Sequence, residues 1–336
     1  MMCSTRPLFS IIVPIYGVEK YLSKCLNSII GQSFDDFEAI LINDGYKDNC
    51  PQICNEYALK DHRLRVIVKE NEGIVSARQA GAVVASGRYV VCIDGDDWIG
   101  KDYLKRFANI ISMYNPDMIV CGRTDAMLDK YVERNPKYRI GIYNRNEIEK
   151  EIFPSLLQTP QATYFPKTLW AKTFRLESFR HQQQILSDKI LNMGEDSACM
   201  IPMLYRAQTL YVADWCDYYY RINPLSMTKN RKPLRTDGPK IIYEHICDQV
   251  DINQFDFKEQ LYRMITHELF SVVKSQFNKK QSFWKTRKEI IHLINQQPYK
   301  KCIENCRFNG SILAFSMEYA LKLHLLFPIY CYNKLY

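Results

Sequence analysis

The chain has 336 residues, a formal net charge of +8 and 47% hydrophobic residues. This length can bury one large core or two smaller ones, and the composition excludes disordered and collagen-like chains. The basic excess suits nucleic acid, an anionic membrane, an anionic substrate or simply a solvated surface, and composition does not choose among them.

Twelve cysteines are spread along the chain without regular spacing. This distribution favours buried thiols in a reducing compartment over a disulfide scaffold. Cys50/Cys54 and Cys302/Cys306 have CxxxC spacing, but no histidine set lies nearby to complete a zinc site. The N-terminal apolar run is too short for a membrane span and is broken by Pro14, so we expect a soluble or membrane-peripheral protein.

The first 120 residues alternate β-branched apolar runs with helical patterns. The predicted strands cover residues 8–15, 37–43, 64–69, 88–94 and 117–121. Apolar residues from Val18 to Ile30 recur on one face of a predicted helix between the first two strands. These patterns predict a mainly parallel, twisted sheet flanked by helices, whose strand carboxyl ends meet at one edge.

The pattern changes after this α/β region. Residues 123–215 contain five prolines and scattered aromatics, which predict loops and short helices built onto the same sheet. Residues 258–277 and 310–326 have helical patterns, and a basic stretch runs from Lys274 to Lys288. The C-terminal part is therefore predicted to be a basic, mostly helical extension.

Three acidic residues, Asp94, Asp96 and Asp97, follow the fourth predicted strand within four positions. Carboxylates this close repel one another unless a cation or hydrogen-bond donors offset the charge, and their oxygens suit Mg²⁺ or Mn²⁺ completed by phosphate and water. An acidic turn that caps a helix from about Gly100 is the alternative interpretation. The chain has no GxxxxGK[ST] loop, no GxGxxG after the first strand and no acidic nucleophile there, which argues against three other phosphate-handling classes.

Three segments carry a family resemblance: SIIVPIYGVEKYLSKCLNSIIGQSF, FEAILINDGYKDN and KENEGIVSARQAGAVVASGRYVVCIDGDDW. Their order and spacing resemble the family-two inverting glycosyltransferases over about residues 8–120, and more weakly to about 228. The resemblance implies the nucleotide-diphospho-sugar transferase fold of GT-A type. It also implies metal-dependent transfer of a sugar from a nucleoside diphosphate, with UDP the expected carrier, to a hydroxyl of a glycan or lipid-linked glycan in surface polysaccharide synthesis.

We accordingly expect a catalytic domain over residues 1–228 and the basic helical region over 229–336. The catalytic domain would divide into a nucleotide-binding half at about 8–120 and an acceptor half at about 121–228. The expected cofactor is Mn²⁺ or Mg²⁺, and the expected location is the cytoplasm at the inner face of the cell membrane. No nucleic-acid partner is expected, because no stacking platform or recognised module accompanies the lysines.

The same resemblance implies roles for individual residues in donor binding. The residues implied are Pro14, Tyr16, Glu19, Asp44, Arg78 and Asp94. Asp44 would accept a hydrogen bond from the base, although an Asx turn with Gly45 is an alternative. Arg78 would lie near the base or diphosphate, and its alternative is a surface ion pair. Asp96 would be the main metal ligand, with Asp94 as a ribose or metal contact.

An inverting displacement also needs a base that deprotonates the incoming hydroxyl. Asp196, in the segment Gly194-Glu195-Asp196-Ser197, resembles the base of the family's Glu-Asp motif, and a plain acidic helix N-terminus is the alternative. The possible supporting residues are Asp97, Glu195, Trp170, Arg221 and Ser226. Trp170 would stack on a sugar or else pack in the core, whereas Arg221 and Ser226 would close over the diphosphate.

The sequence departs from the family pattern at three positions. Gly17 and Gln79 stand where the family usually has Asn, and Tyr46 stands where a small Ser is usual. The bulky Tyr46 ring beside the expected base pocket motivates an alternative function, a catalytically impaired binding or scaffolding protein of a polysaccharide-assembly complex. The apolar residues 310–332 would contact the inner membrane peripherally or else pack on the protein's own core.

Overall fold

A computed structural model describes residues 6–187, 194–222 and 232–335. These residues form two compact units, one within 1–148 and 168–223, the other within 149–167 and 224–336. The division into domains at 228/229 stays a prediction. The structure differs from it in placing residues 149–167 with the C-terminal unit.

The first unit is built on an eight-stranded sheet with the order β3-β2-β1-β4-β10-β6-β11-β9. Its strands are Phe9–Ile15 (β1), Phe37–Asn43 (β2), Leu64–Val68 (β3), Tyr89–Cys92 (β4), Met118–Val120 (β6), Gly141–Asn144 (β9), Lys172–Arg175 (β10) and Thr209–Val212 (β11). Strands β3, β2, β1 and β4 are parallel. β10 is antiparallel to both its neighbours, and β9 is antiparallel to β11.

Helices Glu19–Ile30 (α1), Cys50–Lys60 (α2) and Ile74–Val84 (α3) connect the parallel strands. β1 is buried along its length apart from a partly exposed Pro14, as expected for a strand covered on both faces. The apolar face of α1 is buried as its periodicity predicts, through Leu22, Leu26 and Ile29. The five predicted strands are confirmed, with bounds that differ by at most two residues.

The prediction for residues 123–215, loops and short helices built onto the same sheet, missed the strands of this region. This region contributes three strands to the main sheet and two of the four strands of a second sheet, whose order is β5-β12-β7-β8. The second sheet consists of Trp98–Ile99 (β5), Arg123–Ala126 (β7), Tyr131–Arg134 (β8) and Tyr218–Arg221 (β12). These strands have two to four residues each, which is too short for an alternating pattern to be recognised in the sequence.

Four more helices belong mainly to the first unit. They are Tyr103–Tyr114 (α4), Arg145–Glu147 (α5), Leu176–Ile185 (α6) and Glu195–Arg206 (α7). α6 packs between α3 and α7, so it links the helix after β3 to the helix that begins at the Glu-Asp segment. This arrangement covers one face of the parallel sheet beside its carboxyl edge.

The second unit is helical. Its helices are Gly238–Gln249 (α8), Phe257–Gln276 (α9), Phe283–Ile294 (α10), Tyr299–Asn305 (α11), Ile312–Lys322 (α12) and Leu326–Leu335 (α13). The two predicted helices are confirmed, although the second is broken at His324, whose φ is 55°. Within the described ranges, no helix is both long and apolar enough to cross a membrane.

Segment 149–167 belongs to this unit because it packs on α9. The buried Gln260 side chain accepts a hydrogen bond from the Leu157 N–H and donates one to the Phe153 carbonyl, at 2.9 and 2.8 Å. A buried carboxamide satisfies backbone groups of a segment that has little regular structure of its own. The segment is therefore fixed to the helix by polar as well as apolar contacts.

Candidate functional site

The carboxyl ends of β1, β2 and β4 meet at one edge of the main sheet, as the sequence predicts. The Asp44 N–H donates to the Ile15 carbonyl at 3.0 Å, which holds the ends of β1 and β2 together. The turn after β4 closes through a 2.9 Å bond from the Asp97 N–H to the Asp94 carbonyl. Gly95 lies in close contact with the β1 end, since an added Cβ would come within 3.2 Å of the Pro14 carbonyl.

The three carboxylates of this turn have different environments, and both oxygens of the buried Asp97 accept a hydrogen bond. Asp97 is 1% exposed and accepts hydrogen bonds from the Tyr218 hydroxyl at 2.7 Å and the Arg221 N–H at 2.8 Å. Burial raises the pKa of Asp97, and the neighbouring Asp94 and Asp96 raise it further. Asp97 therefore ties the acidic turn to β12 rather than pointing towards a ligand.

Asp94 is half-buried and shares the Arg78 guanidinium, whose Nη2 lies 3.3 Å from Asp94 Oδ1. Burial raises the pKa of Asp94 to about 6, while Arg78 opposes that rise. Its backbone N–H also donates to the Tyr218 hydroxyl at 3.3 Å. Asp94 is thus held in place by both a cation and a buried tyrosine.

Asp96 has the freest carboxylate of the three. It is half-buried, and within the described part of the chain its side chain makes no hydrogen bond or ion pair with another residue. Burial raises the pKa of Asp96, which indicates a charged form that lacks compensating donors. The carboxylates of this residue and Asp94 are of the kind that hard divalent cations bind, and their role as metal ligands stays a prediction.

No group of three His, Cys, Asp or Glu side chains among residues 6–187, 194–222 and 232–335 is placed to hold a metal ion. A cation at Asp96 and Asp94 would therefore complete its shell with water and with oxygens of a bound ligand. Mg²⁺ characteristically binds through one or two carboxylates plus substrate phosphates. The donor set fits that mode better than a cage made of protein ligands alone.

Arg78 joins the acidic turn to the start of α7. Its side chain is 3% exposed, and Nη1 lies 2.6 Å from Asp196 Oδ1. The alternative of a surface ion pair was wrong, because Arg78 is buried in a region where α6 packs on α3 and α7 packs on α6. The second oxygen of Asp196 accepts the Leu169 N–H at 3.3 Å. The proposed base is thus held by two donors, and each oxygen keeps a second lone pair.

Glu195 supplies a further carboxyl group in the first turn of α7. Burial raises the pKa of Glu195 to about 7, and the adjacent Asp196 adds to the rise. The residue is half-buried, as expected for a carboxyl group beside Arg78 and its two carboxylates. The Glu-Asp segment therefore carries two acids of different environment at one helix start.

The predicted alternative for Asp44, an Asx turn with Gly45, was wrong. Asn43 makes that turn instead, through a 3.1 Å bond from the Gly45 N–H to its side-chain oxygen. Asp44 is 3% exposed and accepts hydrogen bonds from the backbone N–H groups of Glu72 and Gly73, and from Lys69 at 3.0 Å. Its Oδ1 has two donors and Oδ2 has one, so a single lone pair remains to accept a hydrogen bond from the base of a bound nucleotide.

The family departures Gly17 and Tyr46 lie together beside Tyr16. The Tyr16 and Tyr46 rings pack edge to face with centroids 4.7 Å apart, and each is 45% exposed. Gly17 has a φ of 66°, and a Cβ there would lie 3.6 Å from the Tyr46 ring. Nearby, Glu19 begins α1 and accepts the Asn49 N–H at 2.9 Å. The third departure, Gln79, donates to the carbonyls of Gln183 and Leu186 and so anchors the end of α6.

Arg221 lies at the acidic turn, and its closure over a diphosphate stays a prediction. Its Nε donates to the Asp96 carbonyl at 2.7 Å, and its guanidinium lies over the rings of Tyr21 and Trp98. Trp170 is only 8% exposed and belongs to the core, which agrees with the predicted alternative of core packing rather than stacking on a sugar. Its indole is covered by parallel stacking with tyrosines of β12. Ser226 lies outside the described residues.

Sequence reasoning missed Lys172, which is 1% exposed in the middle of the main sheet. Its Nζ donates to Thr168 Oγ1 at 3.1 Å and to the Trp170 carbonyl at 3.4 Å. Burial lowers the pKa of Lys172 to about 7. The signal in the sequence was a lysine inside the apolar run LWAKTF, because lysine is rarely buried unless its ammonium has a partner. Tyr218, which binds Asp97 and Asp94, was likewise missed as a site residue.

Comparison with known proteins identifies the fold. A family model described as Glycosyl transferase family 2 matches residues 10–174. The uncharacterized glycosyltransferase EpsJ of Bacillus subtilis strain 168 is 32% identical over 223 residues, or 66% of this chain and 63% of EpsJ. The structure of S. aureus TarS 1–349 in complex with UDP is similar with a TM-score of 0.62 and 17% identity, over 97% of this chain and 90% of that one. Mannosyltransferase PcManGT from Pyrobaculum calidifontis, in complex with GDP-Man and Mn²⁺, is similar with a TM-score of 0.54 and 12% identity, over 97% and 88% of the two chains.

These similarities confirm the predicted fold, a GT-A type nucleotide-sugar transferase with a mixed central sheet, flanking helices and a helical C-terminal region. The chain spans less than two thirds of the length of the first curated relatives it matches, 63% in one case and 31% in another. The structural likeness at such low identity is evidence about the fold alone.

Proposed function

This chain belongs to glycosyltransferase family 2 through the domain at residues 10–174, and we propose that it is an inverting, metal-dependent transferase. It would move a sugar from a nucleoside diphosphate, with UDP the expected carrier, to a hydroxyl of a glycan or lipid-linked glycan in surface polysaccharide synthesis. One observation carries the proposal: Arg78 joins the element that carries Asp196 to the turn that carries Asp96, whose carboxylate has no partner among the described residues. The site thus offers two acids for two different tasks.

Asp96 and Asp94 would hold Mn²⁺ or Mg²⁺ together with the donor diphosphate. The bound ion would neutralise charge on the departing nucleotide. Arg221 adds a positive charge at the same turn, because the Asp96 carbonyl and two aromatic rings fix its guanidinium there. Preorganised cations of this kind stabilise charge that develops on a leaving group.

Asp196 would act as the base. Arg78 and the Leu169 N–H orient its carboxylate, and the remaining lone pairs can accept the proton of an incoming hydroxyl. Since the other carboxylate bound to Arg78 lies in the acidic turn, one buried guanidinium couples the positions of base and metal ligands. The nearby Glu195, whose pKa burial raises to about 7, is a supporting acid in this scheme.

The donor would lie at the ends of β1 and β2, where Pro14, Tyr16 and Asp44 are placed. The complexes of TarS with UDP and UDP-GlcNAc and of PcManGT with GDP-Man support a nucleotide-sugar as the ligand class. The Mn²⁺ in PcManGT supports a divalent cofactor. UDP remains the preferred carrier because it accompanies the neighbour of higher TM-score.

Peripheral contact with the inner face of the cell membrane is the second part of this proposal. α12 leaves one apolar stripe exposed: Ile312, Phe315 and Tyr319, continued by Leu323, with exposures of 89, 47, 44 and 62%. The second unit also carries a run of lysines and arginines from Lys274 to Lys288 without an intervening acid. Apolar side chains combined with basic residues suit the surface of an anionic bilayer.

A donor screen tests the proposed function. The full chain is incubated with Mn²⁺ or Mg²⁺ and each nucleotide-sugar, with and without lipid extract, and released nucleoside diphosphate is measured. We expect release with at least one donor, and we expect chelation with EDTA to abolish it. If no donor releases nucleoside diphosphate, the enzyme proposal fails and the scaffolding alternative is favoured. That alternative is motivated by the Tyr46 ring beside the expected pocket for the nucleotide base.

Two variants test the separate roles proposed for Asp96 and Asp196. Asp96→Asn should abolish metal-dependent donor binding, whereas Asp196→Asn should retain that binding and lose transfer. Asp129→Asn, at an exposed position of the first unit, is the matched control. Equal loss of donor binding in Asp96→Asn and Asp196→Asn would contradict the assigned roles.

A further inference from the structure

The second sheet of the first unit carries an open cleft on one of its faces. The cleft has a volume of about 660 Å³ and is lined by Trp98, Thr124, Tyr131, Glu133 and Tyr219. This volume lies in the range of small-molecule sites. Four of the lining residues form one row across the sheet, because β12 pairs Tyr219 with both Trp98 of β5 and Thr124 of β7. Glu133 of β8 pairs with Thr124 and completes the row, so these side chains project from the same face.

Three aromatic rings of the cleft contact one another. Trp98 and Tyr219 stack in parallel with centroids 5.3 Å apart, and Tyr131 meets Tyr219 edge to face at 6.1 Å. Thr124, which lies between Tyr219 and Glu133 in the row, is 4% exposed and has a much smaller side chain than either. The larger side chains therefore stand around a depression in the sheet whose floor is Thr124.

Core packing does not explain the aromatic residues of this face. The core lies on the opposite face of the sheet, where Tyr218 and Tyr220 of β12 stack on the buried Trp170. A sheet with one face on the core normally carries polar side chains on the other. Here that other face carries the three rings of the cleft, and Tyr131 is 61% exposed. Grouped apolar side chains at a surface are characteristic of binding sites.

The charges around the cleft favour an uncharged ligand. Among the described residues that line it, Glu133 carries the one charge, and its exposed carboxylate has no hydrogen bond or ion pair with another described residue. This carboxylate would repel an anion, including the phosphate of a nucleotide. A cation would be repelled by Lys24 and Arg221, which lie over the Trp98 ring at 3.3 and 4.8 Å from its centre.

We propose that this cleft binds a glycan chain through one or more of its pyranose rings. A pyranose has an apolar C–H face, which can pack on an aromatic ring, and an edge of hydroxyl groups, which can donate to a carboxylate. Tyr131 offers the most exposed ring of the cleft, and Glu133 offers an acceptor without a partner two residues away on the same face of β8. An uncharged glycan thus matches both the rings and the carboxylate.

The assignment of this glycan as the acceptor rests on the proposed function. Trp98 directly follows the acidic turn, and Arg221 joins the two features. The Arg221 Nε donates to the Asp96 carbonyl at 2.7 Å, while its guanidinium lies over the Trp98 ring. The cleft therefore begins beside the edge of the main sheet at which the donor is proposed to bind. Glycan binding itself does not require the transfer reaction and can be measured separately.

The test uses the full chain and saturation-transfer NMR titrations with cellobiose, lactose and N,N′-diacetylchitobiose. We expect at least one of these disaccharides to bind, and we expect Tyr131→Ala and Glu133→Gln each to weaken that binding by about 3- to 10-fold, the effect of one ring contact or one hydrogen bond. Two controls should bind like the wild type: Tyr114→Ala, at an exposed tyrosine that packs on Tyr211, and Glu56→Gln, at an exposed acid of α2. Thermal unfolding of each variant confirms that it is folded.

Three results would overturn the inference: no disaccharide binds, binding is undiminished in both cleft variants, or these variants weaken UDP binding as much as disaccharide binding. A wild-type dimer that both cleft variants dissociate in sedimentation velocity would instead assign the cleft to a second copy of the chain.

Nucleoside diphosphate release in the same proteins separates the two proposals. Cleft variants that lose disaccharide binding but keep donor hydrolysis support the acceptor role. If the wild type releases no nucleoside diphosphate while the variants still lose disaccharide binding, the glycan cleft stands and the proposed function fails.

Discussion

Arg78 Nη1 lies 2.6 Å from Asp196 Oδ1, across 118 positions of sequence. The same buried guanidinium contacts Asp94, so a single cation holds the turn after β4 and the first turn of α7 in a fixed relationship. Burying this ionic group is tolerable because both sides of the arginine meet a carboxylate.

Replacing Arg78 with Met should destabilise the first unit by about 3–5 kcal/mol, because two carboxylates would lose their buried counterion. Urea unfolding followed by circular dichroism measures the effect. Arg65→Gln, an exposed arginine of β3, should change stability by no more than about 0.5 kcal/mol. Equal stabilities of the two variants would show that the Arg78 ion pairs do not stabilise the fold.

The neighbouring acids Asp97 and Asp96 should respond in opposite ways to neutralisation. Asp97→Asn should cost about 1–3 kcal/mol, because the Tyr218 hydroxyl and the Arg221 N–H would lose a charged acceptor. Asp96→Asn should leave stability unchanged or raise it, since Asp96 repels the other acids and has no compensating donor from another described residue. Urea unfolding in EDTA makes the comparison without metal, and a larger loss in Asp96→Asn would contradict it.

The sequence was sufficient to predict that Asp94 and Asp96 lie at the carboxyl edge of the sheet, because the carboxyl ends of parallel strands meet there and the acidic cluster follows one such strand. It was not sufficient to predict that Arg78 is buried. Helical periodicity places this residue opposite the apolar face of α3. It is buried in the fold, where α6 packs on α3 and Asp196 at the start of α7 pairs with the guanidinium. The short strand β10 was unpredictable for a related reason, since its four residues become a strand only by fitting between β4 and β6.

Tyr46→Ser should weaken binding of nucleoside diphosphates by about 2- to 10-fold, because Tyr16 loses the edge-to-face partner that fixes its exposed ring. Isothermal titration with UDP, GDP and dTDP measures the effect and shows whether the preference among bases changes. Gly17→Asn should be tolerated, since Asn adopts positive φ and its Cβ would make an ordinary contact with Tyr46. Tyr114→Ser, another exposed tyrosine, controls for general effects. If Tyr46→Ser binds the nucleoside diphosphates as tightly as the wild type, the nucleotide base does not bind beside Tyr16 and Tyr46.

Lys172 makes stability depend on pH. Its folded-state pKa of about 7 lies below the ordinary value of 10.5, so between these values the unfolded chain binds more protons and stability rises with pH. Below about pH 7 this contribution is constant. Lys172→Met should be more stable than the wild type near neutral pH, and the difference should shrink by a few kcal/mol towards pH 10. Urea unfolding at several pH values checks this, and a difference that does not vary with pH would contradict a neutral buried lysine.

The apolar stripe of α12 gives the membrane proposal its sharpest test. Full-length protein should float with vesicles that contain phosphatidylglycerol, and less so with neutral phosphatidylcholine vesicles or at high salt, because each basic residue near the surface contributes about 1 kcal/mol of attraction. Ile312→Ser combined with Phe315→Ser should reduce the bound fraction strongly, since burying each side chain in the interface contributes on the order of 1.5–3 kcal/mol. Leu59→Ser with Val83→Ser removes two apolar residues of the first unit that are at least as exposed as Ile312 and Phe315, and should leave flotation unchanged. Identical flotation of both double variants would mean that α12 does not insert. Any remaining flotation would then be attributed to basic residues such as those of the Lys274–Lys288 stretch, and raised salt alone should release the protein.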